Sequence, residues 1–233
     1  MINAIVFDID GTLLDHEHAL SKSFFSLYSL MKNRIPHVSF NEFFTTWKMK
    51  TDHYINEYLD GRISFEQQRI LRVQKVFEKW DCHFSIEKPM DVFKQYLFNY
   101  EQNWILYDDV VPCLTMLKNQ PLGIISDGDG EQQRERLAYT EIISFFSSII
   151  ISGEVGLREP APEIFKKSVK ELNLSLDEIL YIGDQLEKDV LGAINAGVQG
   201  VWIDRTNQGR VDSKIITISK LNELPEIIRK FQE

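Results

Sequence analysis

Two aspartates separated by one residue stand at the end of the first apolar run of the chain. This run, residues 4–8, ends in Asp8, and Asp10 is followed at once by Gly11 and Thr12. Side chains at positions i and i+2 of an extended segment point to the same side. A glycine then permits a tight turn whose backbone N–H groups suit an anion. The pattern therefore indicates a site where two carboxylates meet a phosphate or a similar group.

A third carboxylate follows a later apolar run. Gly183 and Asp184 end that run, and Asp189 comes five positions after Asp184. Ligands of parallel α/β sheets bind outside the carboxyl ends of the strands. If the two runs form neighbouring strands, Asp8, Asp10 and Asp184 converge on one point.

Such a convergence has a direct chemical meaning. Carboxylates that share a small volume raise one another's pKa unless a cation is present. An oxygen-only set of ligands suits Mg²⁺, which also shields an anionic phosphate from an anionic nucleophile. Attack by Asp8 on phosphorus would give an aspartyl-phosphate, which divides one difficult displacement into two easier ones. A lone aspartate after a strand is more often a turn former or a helix cap, but the combined pattern favours a magnesium and phosphate site.

The segments that must position these residues show two sequence patterns. Short apolar runs without alternation are typical of strands buried on both faces, and helical stretches such as 163–172 lie between them. This order predicts an α/β fold, a Rossmann-like doubly wound parallel sheet with helices on both faces. The predicted strands are 4–8, 122–126, 149–153, 180–184 and 200–204.

The second pattern is that of a helical insert over residues 16–105. Ser39 with Glu42, and Ser64 with Gln67, have the spacing of capping boxes ahead of apolar helical stretches. About four helices here predict a small α-helical bundle that forms a separate domain. Residues 1–15 and 106–233 are then the α/β core domain.

Composition and charge limit the classes of function. The chain has 233 residues, of which 43% are hydrophobic and 26% charged, and its formal net charge is −9. This charge argues against a nucleic-acid binder. There is no signal peptide pattern and no apolar stretch near the ~18 residues of a membrane span, so we expect a cytoplasmic protein, monomeric or homodimeric. The two cysteines, Cys82 and Cys113, fall in different predicted domains, which makes a disulfide framework improbable.

The segment Asp8-Ile9-Asp10-Gly11-Thr12 resembles the first motif of the haloacid dehalogenase (HAD) superfamily, and Gly183 to Asp189 is similar to its last motif. The resemblance implies that Asp8 is the nucleophile and Asp10 the general acid. It also implies that Mg²⁺ is held by the Asp8 side chain, the Asp10 backbone carbonyl and Asp184. Thr12 and Asp189 would support this site.

The segment Ile124-Ile125-Ser126-Asp127-Gly128 resembles the second motif of the superfamily. By resemblance, the Ser126 hydroxyl and the following backbone N–H hold the phosphoryl oxygens. Asp127 stands where asparagine is commoner. Read without the resemblance, Ser126 would be a plain turn residue.

The third motif departs from the superfamily pattern. Glu159 stands where a lysine normally bridges the nucleophile and the phosphate, and Arg158 is the neighbouring cation. A charged contact to a transferring phosphoryl group is worth ~3 kcal/mol, or on the order of a hundredfold in rate. Two interpretations remain open: a phosphatase that is slowed or compensated by another cation, and a fold that has largely lost catalysis.

By resemblance, the helical insert is a cap that screens the substrate. Its aromatic residues are either the core of the bundle or the lining of a pocket for a base or a sugar; they include Trp47, Tyr54, Tyr58 and Trp80. The preferred function is Mg²⁺-dependent hydrolysis of a small phosphomonoester, a nucleotide or sugar phosphate. The alternatives are a catalytically impaired protein that binds a phosphate metabolite or a partner, and a 2-haloacid dehalogenase, which the presence of Asp10 disfavours.

Overall fold

The chain folds into two compact units. The first, here called the sheet unit, comprises Met1–His16 and Ile105–Glu233, and the second, the helical unit, comprises Glu17–Trp104. The domain boundaries expected from the sequence lie one residue away from these. The structure is a computed structural model that describes residues 1–84, 88–207, 209 and 214–232.

A parallel β-sheet forms the centre of the sheet unit. Its strand order is β3-β2-β1-β4-β5-β6, and every neighbouring pair is parallel. The first and fourth strands are therefore neighbours, as the convergence of the carboxylates requires. Within the described residues the six strands are β1 (Ala4–Phe7), β2 (Leu122–Ser126), β3 (Ser148–Ile151), β4 (Ile179–Gly183), β5 (Gln199–Ile203) and β6 (Ile216–Ile218).

The strands at the centre of the sheet are apolar because both of their faces are covered. Every residue of β1, β2 and β4 is buried, which explains the continuous apolar runs in the sequence. Phe7 at the end of β1 pairs with Ile124 of β2 and with Ile182 of β4. The three strands consequently end close together at one edge of the sheet, and the residues that follow them share that edge.

Two details of the sheet differ from the prediction. The third strand ends at Ile151, two residues earlier than expected, because a short helix begins at Ser152. The sixth strand was not predicted, since its three residues, Ile216–Ile218, are too few to form a recognisable apolar run. The α/β doubly wound sheet itself is confirmed.

The helical unit is built from four helices among its described residues. Ser64 forms a complete capping box with Gln67, in which each side chain bonds the other residue's backbone N–H. Ser39 caps its helix through the Glu42 N–H, but the Glu42 side chain turns away and accepts a hydrogen bond from Trp80. The helices are α1 (His16–Met31), α2 (Phe40–Leu59), α3 (Phe65–Phe77) and α4 (Lys88–Glu101).

An aromatic cluster fills the centre of the helical unit. Trp47 is fully buried, and its ring centroid lies 5.7 Å from that of Phe43, 6.0 Å from that of Phe24 and 5.1 Å from that of Tyr96. Trp47 is therefore part of the bundle core rather than of a pocket lining. Tyr54, Tyr58 and Trp80 are only half-buried.

Helices on the sheet unit follow the strands in the alternation typical of this fold. Ile164 and Phe165, on the helix predicted for 163–172, are buried against the sheet residues Val6 and Tyr181. No helix in the described part of the chain is both long and apolar enough to cross a bilayer. The helices are α5 (Val110–Leu117), α6 (Gly130–Tyr139), α7 (Ser152–Val155), α8 (Pro162–Leu172), α9 (Leu191–Ala196) and α10 (Leu224–Lys230).

Candidate active site

Three predicted site residues meet where β1, β2 and β4 end. Asp8 directly follows β1, and its backbone N–H continues the ladder to the Ile182 carbonyl of β4 at 2.9 Å. Ser126 is the last residue of β2, and its hydroxyl lies 3.4 Å from Oδ1 of Asp8. Asp184 directly follows β4. The sheet thus gathers two carboxylates and one hydroxyl at a single edge.

Asp8 and Asp184 form a carboxylate trio with Asp189. Each of the three offers a carboxylate oxygen, and these oxygens lie within 4.8 Å of one another. Asp189 is thus one of the candidate metal ligands, whereas the sequence predicted that it would only support the metal site. The side chain of Asp10 is not part of this trio, and the role of its backbone carbonyl stays a prediction.

The trio fits a hard divalent cation. Three of its oxygens are buried without a hydrogen-bond partner among the described residues: Oδ2 of Asp8, Oδ1 of Asp184 and Oδ1 of Asp189. Buried carboxylate oxygens normally have a hydrogen-bond or metal partner. The donor set contains oxygen only, which matches the preference of Mg²⁺.

The same crowding is visible in the pKa values of the free carboxyl groups. Burial, and then the charges of Asp189 and Asp184, raise the pKa of Asp8 well above its usual range. Burial, followed by the charges of Asp189 and Asp10, raises the pKa of Asp184 to about 7. A cation at this point would remove the repulsion and keep both groups ionised.

Two glycines make room for the trio. Gly11 has a φ of +86°, and a Cβ at this position would overlap the Asp184 carboxylate. A Cβ on Gly183 would overlap the side chain of Asp189. Asp189 itself lies in a π-helical turn, Leu186–Val190, and its Oδ2 accepts a hydrogen bond from the Gln185 N–H at 2.9 Å. The glycines of the first and last motifs therefore have a steric role at the site.

Asp10 is held by a separate set of partners. Nη1 of Arg136 donates to both carboxylate oxygens of Asp10, at 2.7 and 2.6 Å, and Arg136 is buried. Nδ1 of His16 lies 3.3 Å from Oδ1 of Asp10. Burial by itself raises the pKa of Asp10, but Arg136 and His16 lower it by more, so the net shift is strongly downward. Asp10 is therefore ionised in this arrangement.

Gln133 links the end of β2 to Asp10. Its Nε2 lies 3.1 Å from the Ser126 hydroxyl, 3.1 Å from the Asp127 carbonyl and 3.2 Å from Oδ2 of Asp10. Thr12 is also fully buried, and its Oγ1 has no hydrogen-bond partner within the described ranges. Gln133 therefore joins Ser126 and Asp127 to Asp10 of the first motif, to which Thr12 also belongs.

Glu159, the residue that departs from the superfamily pattern, is completely buried. Its Oε1 accepts a hydrogen bond from the Tyr181 hydroxyl at 2.6 Å, and its Oε2 lies 4.0 Å from Nζ of Lys188. Burial, and then the charge of Asp189, raise its pKa well above the usual range. Lys188 also pairs with Oδ2 of Asp127 at 3.1 Å. The carboxylate at position 159 is thus next to a cation.

Sequence reasoning did not single out the cations of this site. Arg136 and Gln133 are three residues apart on α6, and this spacing on one helical face is a signal that could have indicated a shared role. His16 belongs to no sequence motif that would mark it as a partner of Asp10. Lys188 lies between Asp184 and Asp189 in a polar segment, where a lysine is usually solvated.

Comparisons with known proteins agree with this architecture. The family model of haloacid dehalogenase-like hydrolases matches residues 2–197. The chain therefore belongs to the haloacid dehalogenase-like hydrolase family.

Two curated relatives and one solved structure illustrate the likeness. The N-acylneuraminate-9-phosphatase of Mus musculus is 26% identical, over 98% of this chain and 94% of that protein. The glyceraldehyde 3-phosphate phosphatase of Pyrococcus abyssi is 44% identical, but the match covers only 35% of this chain and spans 34% of the relative's length. The magnesium-bound HAD-hydrolase YfnB of Bacillus subtilis has a TM-score of 0.78 at 23% identity, covering 97% of this chain and 98% of the other, which shows the shared fold.

Proposed function

We propose that the protein is a Mg²⁺-dependent phosphohydrolase that removes phosphate from a small phosphomonoester through a covalent intermediate on Asp8. The observation that carries this proposal is the trio of Asp8, Asp184 and Asp189, each of which has one buried oxygen without a hydrogen-bond partner in the described part of the chain. The trio lies beside the Ser126 hydroxyl, which is the group proposed here to bind the phosphate. A cation site and a phosphate site therefore adjoin the proposed nucleophile.

Asp8 performs the first step. One of its carboxylate oxygens attacks phosphorus, a new phosphorus–oxygen bond to Asp8 forms, and the bond to the ester oxygen breaks. The Ser126 hydroxyl and the backbone N–H that follows it hold the phosphoryl oxygens. Water then attacks the aspartyl-phosphate, which releases inorganic phosphate and restores the Asp8 carboxylate.

Asp10 handles the proton in both steps. As a carboxylate held by Arg136, it is suited to take a proton from the attacking water in the second step. In the first step Asp10 protonates the leaving oxygen, and for this role it must first acquire a proton. The ion pair with Arg136 stabilises the ionised form of Asp10, so substrate binding must weaken this pair before Asp10 can be protonated.

The Asp8 and Asp184 side chains, Asp189 and the Asp10 backbone carbonyl are the groups that would hold Mg²⁺. A bound Mg²⁺ neutralises charge on the transferring phosphoryl group and permits an anionic nucleophile to approach it.

The substrate is proposed to be a small phosphorylated metabolite, a nucleotide or a sugar phosphate. The names of the curated relatives support a small substrate: the Mus musculus protein is an N-acylneuraminate-9-phosphatase and the Pyrococcus abyssi protein a glyceraldehyde 3-phosphate phosphatase.

The decisive experiment is phosphate release from para-nitrophenyl phosphate and a panel of nucleotide and sugar phosphates, with Mg²⁺ and with a chelator. We expect turnover that depends on Mg²⁺ and that falls on the order of 10⁴-fold in Asp8→Asn, because the nucleophile is lost. A circular dichroism melt of Asp8→Asn provides the control for folding. Absence of Mg²⁺-dependent turnover by the natural chain across the panel would refute the proposal.

A second candidate function is a non-catalytic module that binds phosphate metabolites. The observation in its favour is Glu159, which stands where the superfamily has a lysine. The module would bind phosphate without hydrolysing it, so the same panel separates the two functions. The dehalogenase alternative stays disfavoured because Asp10 is present next to the nucleophile.

A further inference from the structure

Lys188 lies beside two buried carboxylates of the site. Its Nζ lies 3.1 Å from Oδ2 of Asp127 and 4.0 Å from Oε2 of Glu159. Its side chain is 30% exposed, while the side chains of Asp127 and Glu159 are 8% and 0% exposed. The ammonium group thus lies beside two buried carboxylates, while the lysine side chain as a whole is partly exposed.

The two carboxylates that hold Lys188 are themselves fixed. Oδ1 of Asp127 accepts a hydrogen bond from the Glu159 backbone N–H at 3.3 Å. Oε1 of Glu159 accepts one from the buried Tyr181 hydroxyl at 2.6 Å, so that its second oxygen faces Lys188. Tyr181 belongs to β4, the strand that also delivers Asp184. This arrangement leaves the ammonium little freedom to move.

The charges around this point favour a phosphate-binding role for the lysine. Lys188 interacts electrostatically with four acidic side chains, those of Glu159, Asp127, Asp189 and Asp8, and Asp184 adds a fifth carboxylate beside Asp8 and Asp189. A dianionic phosphate must approach through this negative field. A cation held beside Asp127, directly after the phosphate-binding Ser126, lowers that barrier.

We infer that Lys188 is a further catalytic residue, whose ammonium binds the phosphoryl group as it transfers to Asp8, and that Glu159 is a positioning residue for that ammonium. The inference rests on the proposed phosphohydrolase function. It explains how a chain with glutamate at position 159 retains a cation at the phosphoryl site: the cation comes from the segment between Asp184 and Asp189, and the buried glutamate orients it.

A consequence follows for the substitution that would restore the superfamily residue. Glu159→Lys would place a second buried ammonium near Lys188 and remove the carboxylate that orients it. Repulsion between the two cations, together with the loss of the Tyr181 hydrogen bond, should lower turnover. If the lysine role were simply vacant, the same substitution would raise turnover, so the sign of the change distinguishes the two situations.

The test combines kinetics with phosphate binding by the full-length protein. Turnover of para-nitrophenyl phosphate is measured with Mg²⁺, and the Kd of inorganic phosphate is measured separately by isothermal titration calorimetry. We expect Lys188→Met to lower kcat/KM about a hundredfold and to weaken phosphate binding about tenfold or more. Lys188→Arg keeps the charge and should recover part of both losses. Lys166→Met, an equal change of charge on an exposed site of α8, should stay within about twofold of the natural protein.

Glu159 is tested by a readout that a merely structural residue would not change. We expect Glu159→Gln to weaken phosphate binding with a melting temperature close to that of the natural chain, and Glu159→Lys to lower kcat. An unaltered phosphate Kd and unaltered turnover in Lys188→Met would overturn the inference, and so would a large gain of turnover in Glu159→Lys. If Arg158→Met, and not Lys188→Met, weakens phosphate binding, Arg158 is the cation and the inference is wrong.

The binding measurement keeps this inference separate from the proposed function. Natural protein that binds phosphate but does not turn over the phosphate panel would refute the phosphohydrolase. In that case the loss or retention of phosphate binding in Lys188→Met still decides whether Lys188 contacts the phosphoryl group.

Discussion

The two units of the molecule bury different kinds of side chain. In the helical unit the buried centre consists of aromatic rings, with Trp47 in contact with Phe43 and Tyr96. In the sheet unit the apolar core of the strands stops at one edge, where buried carboxylates such as Asp8 and Asp189 follow it. The first arrangement stabilises its unit through burial of apolar area. The second is costly in the absence of a counter-charge.

This difference separates residues selected for stability from residues selected for chemistry. A buried ring can be explained entirely by packing, whereas a buried carboxylate oxygen without a hydrogen-bond partner among the described residues calls for a ligand. Substitutions that remove the buried group should therefore have opposite effects on the stability of the metal-free protein. Loss of a buried aromatic ring in the helical unit should destabilise the fold. Loss of a buried carboxylate at the edge of the sheet should stabilise the fold and remove the proposed activity.

The largest effect on stability is expected from Trp47→Ala. Trp47 is fully buried among rings of α1, α2 and α4, so the substitution leaves a large cavity and should lower the free energy of unfolding by about 3–5 kcal/mol. Urea denaturation followed by circular dichroism measures this change. Phe98→Ala provides the control, because Phe98 is 58% exposed and its loss should cost no more than about 0.5 kcal/mol. Equal effects of the two substitutions would contradict the assignment of Trp47 to the core.

An effect of opposite sign is expected from Asp184→Asn in the metal-free protein. The pKa of Asp184 is raised to about 7 in the fold, from 3.8 as its ordinary value, chiefly by burial. The stability associated with its neutral form is present below about pH 4 and is lost as the pH rises through about 7. Asparagine stays neutral, so the variant should be more stable than the natural chain by on the order of 1–3 kcal/mol at pH 8, and by much less at pH 4.

Addition of Mg²⁺ should reverse this order. The natural chain should gain stability with Mg²⁺ concentration, because binding to the folded form alone shifts the unfolding equilibrium. Asp184→Asn should gain little. Thermal melts at pH 4 and pH 8, each with Mg²⁺ and with a chelator, measure both effects. A stability difference that does not change with pH, or an equal response of both proteins to Mg²⁺, would argue against a cation site at Asp184.

The smallest effect concerns the helix caps of the helical unit. Ser64 both accepts a hydrogen bond from the Gln67 N–H at 3.1 Å and donates its own N–H to the Gln67 side chain at 2.8 Å. Ser64→Ala should therefore lower the free energy of unfolding by about 1 kcal/mol and leave turnover of para-nitrophenyl phosphate unchanged. Ser39→Ala is the matched comparison, since Ser39 lacks the reciprocal bond from Glu42. A loss of turnover in Ser64→Ala at a temperature where the protein is folded would be inconsistent with a purely structural cap.

The sheet and the carboxylates at its edge were predictable because they depend on short-range patterns. Buried parallel strands must be continuously apolar, so β1, β2 and β4 were recognisable, and the residues directly after them, Asp8 and Asp184, could be placed at one edge. The capping box of Ser64 was equally local. The strand Ile216–Ile218 escaped recognition because its pattern is too short to stand out from a loop.

The partners of the site residues were not predictable from the same patterns. Arg136 contacts Asp10, which lies 126 positions earlier in the sequence. Lys188 contacts Asp127 because a single strand, β1, lies between β2 and β4 in the sheet. Side-chain direction also decided the role of Asp189, which the π-helical turn Leu186–Val190 directs toward Asp8 and Asp184. Such contacts depend on the order of the strands and on side-chain rotamers, and neither can be recognised from the pattern of a single sequence.

The two thiols of the chain provide a way to follow each unit separately. Cys82 lies in the helical unit and Cys113 in the sheet unit, and both are buried as free cysteines. Burial raises the pKa of Cys113 to about 12, so an alkylating reagent can modify it only after local opening exposes it. The rates at which the two cysteines are alkylated in one sample would therefore report the opening of each unit independently, without any engineered label.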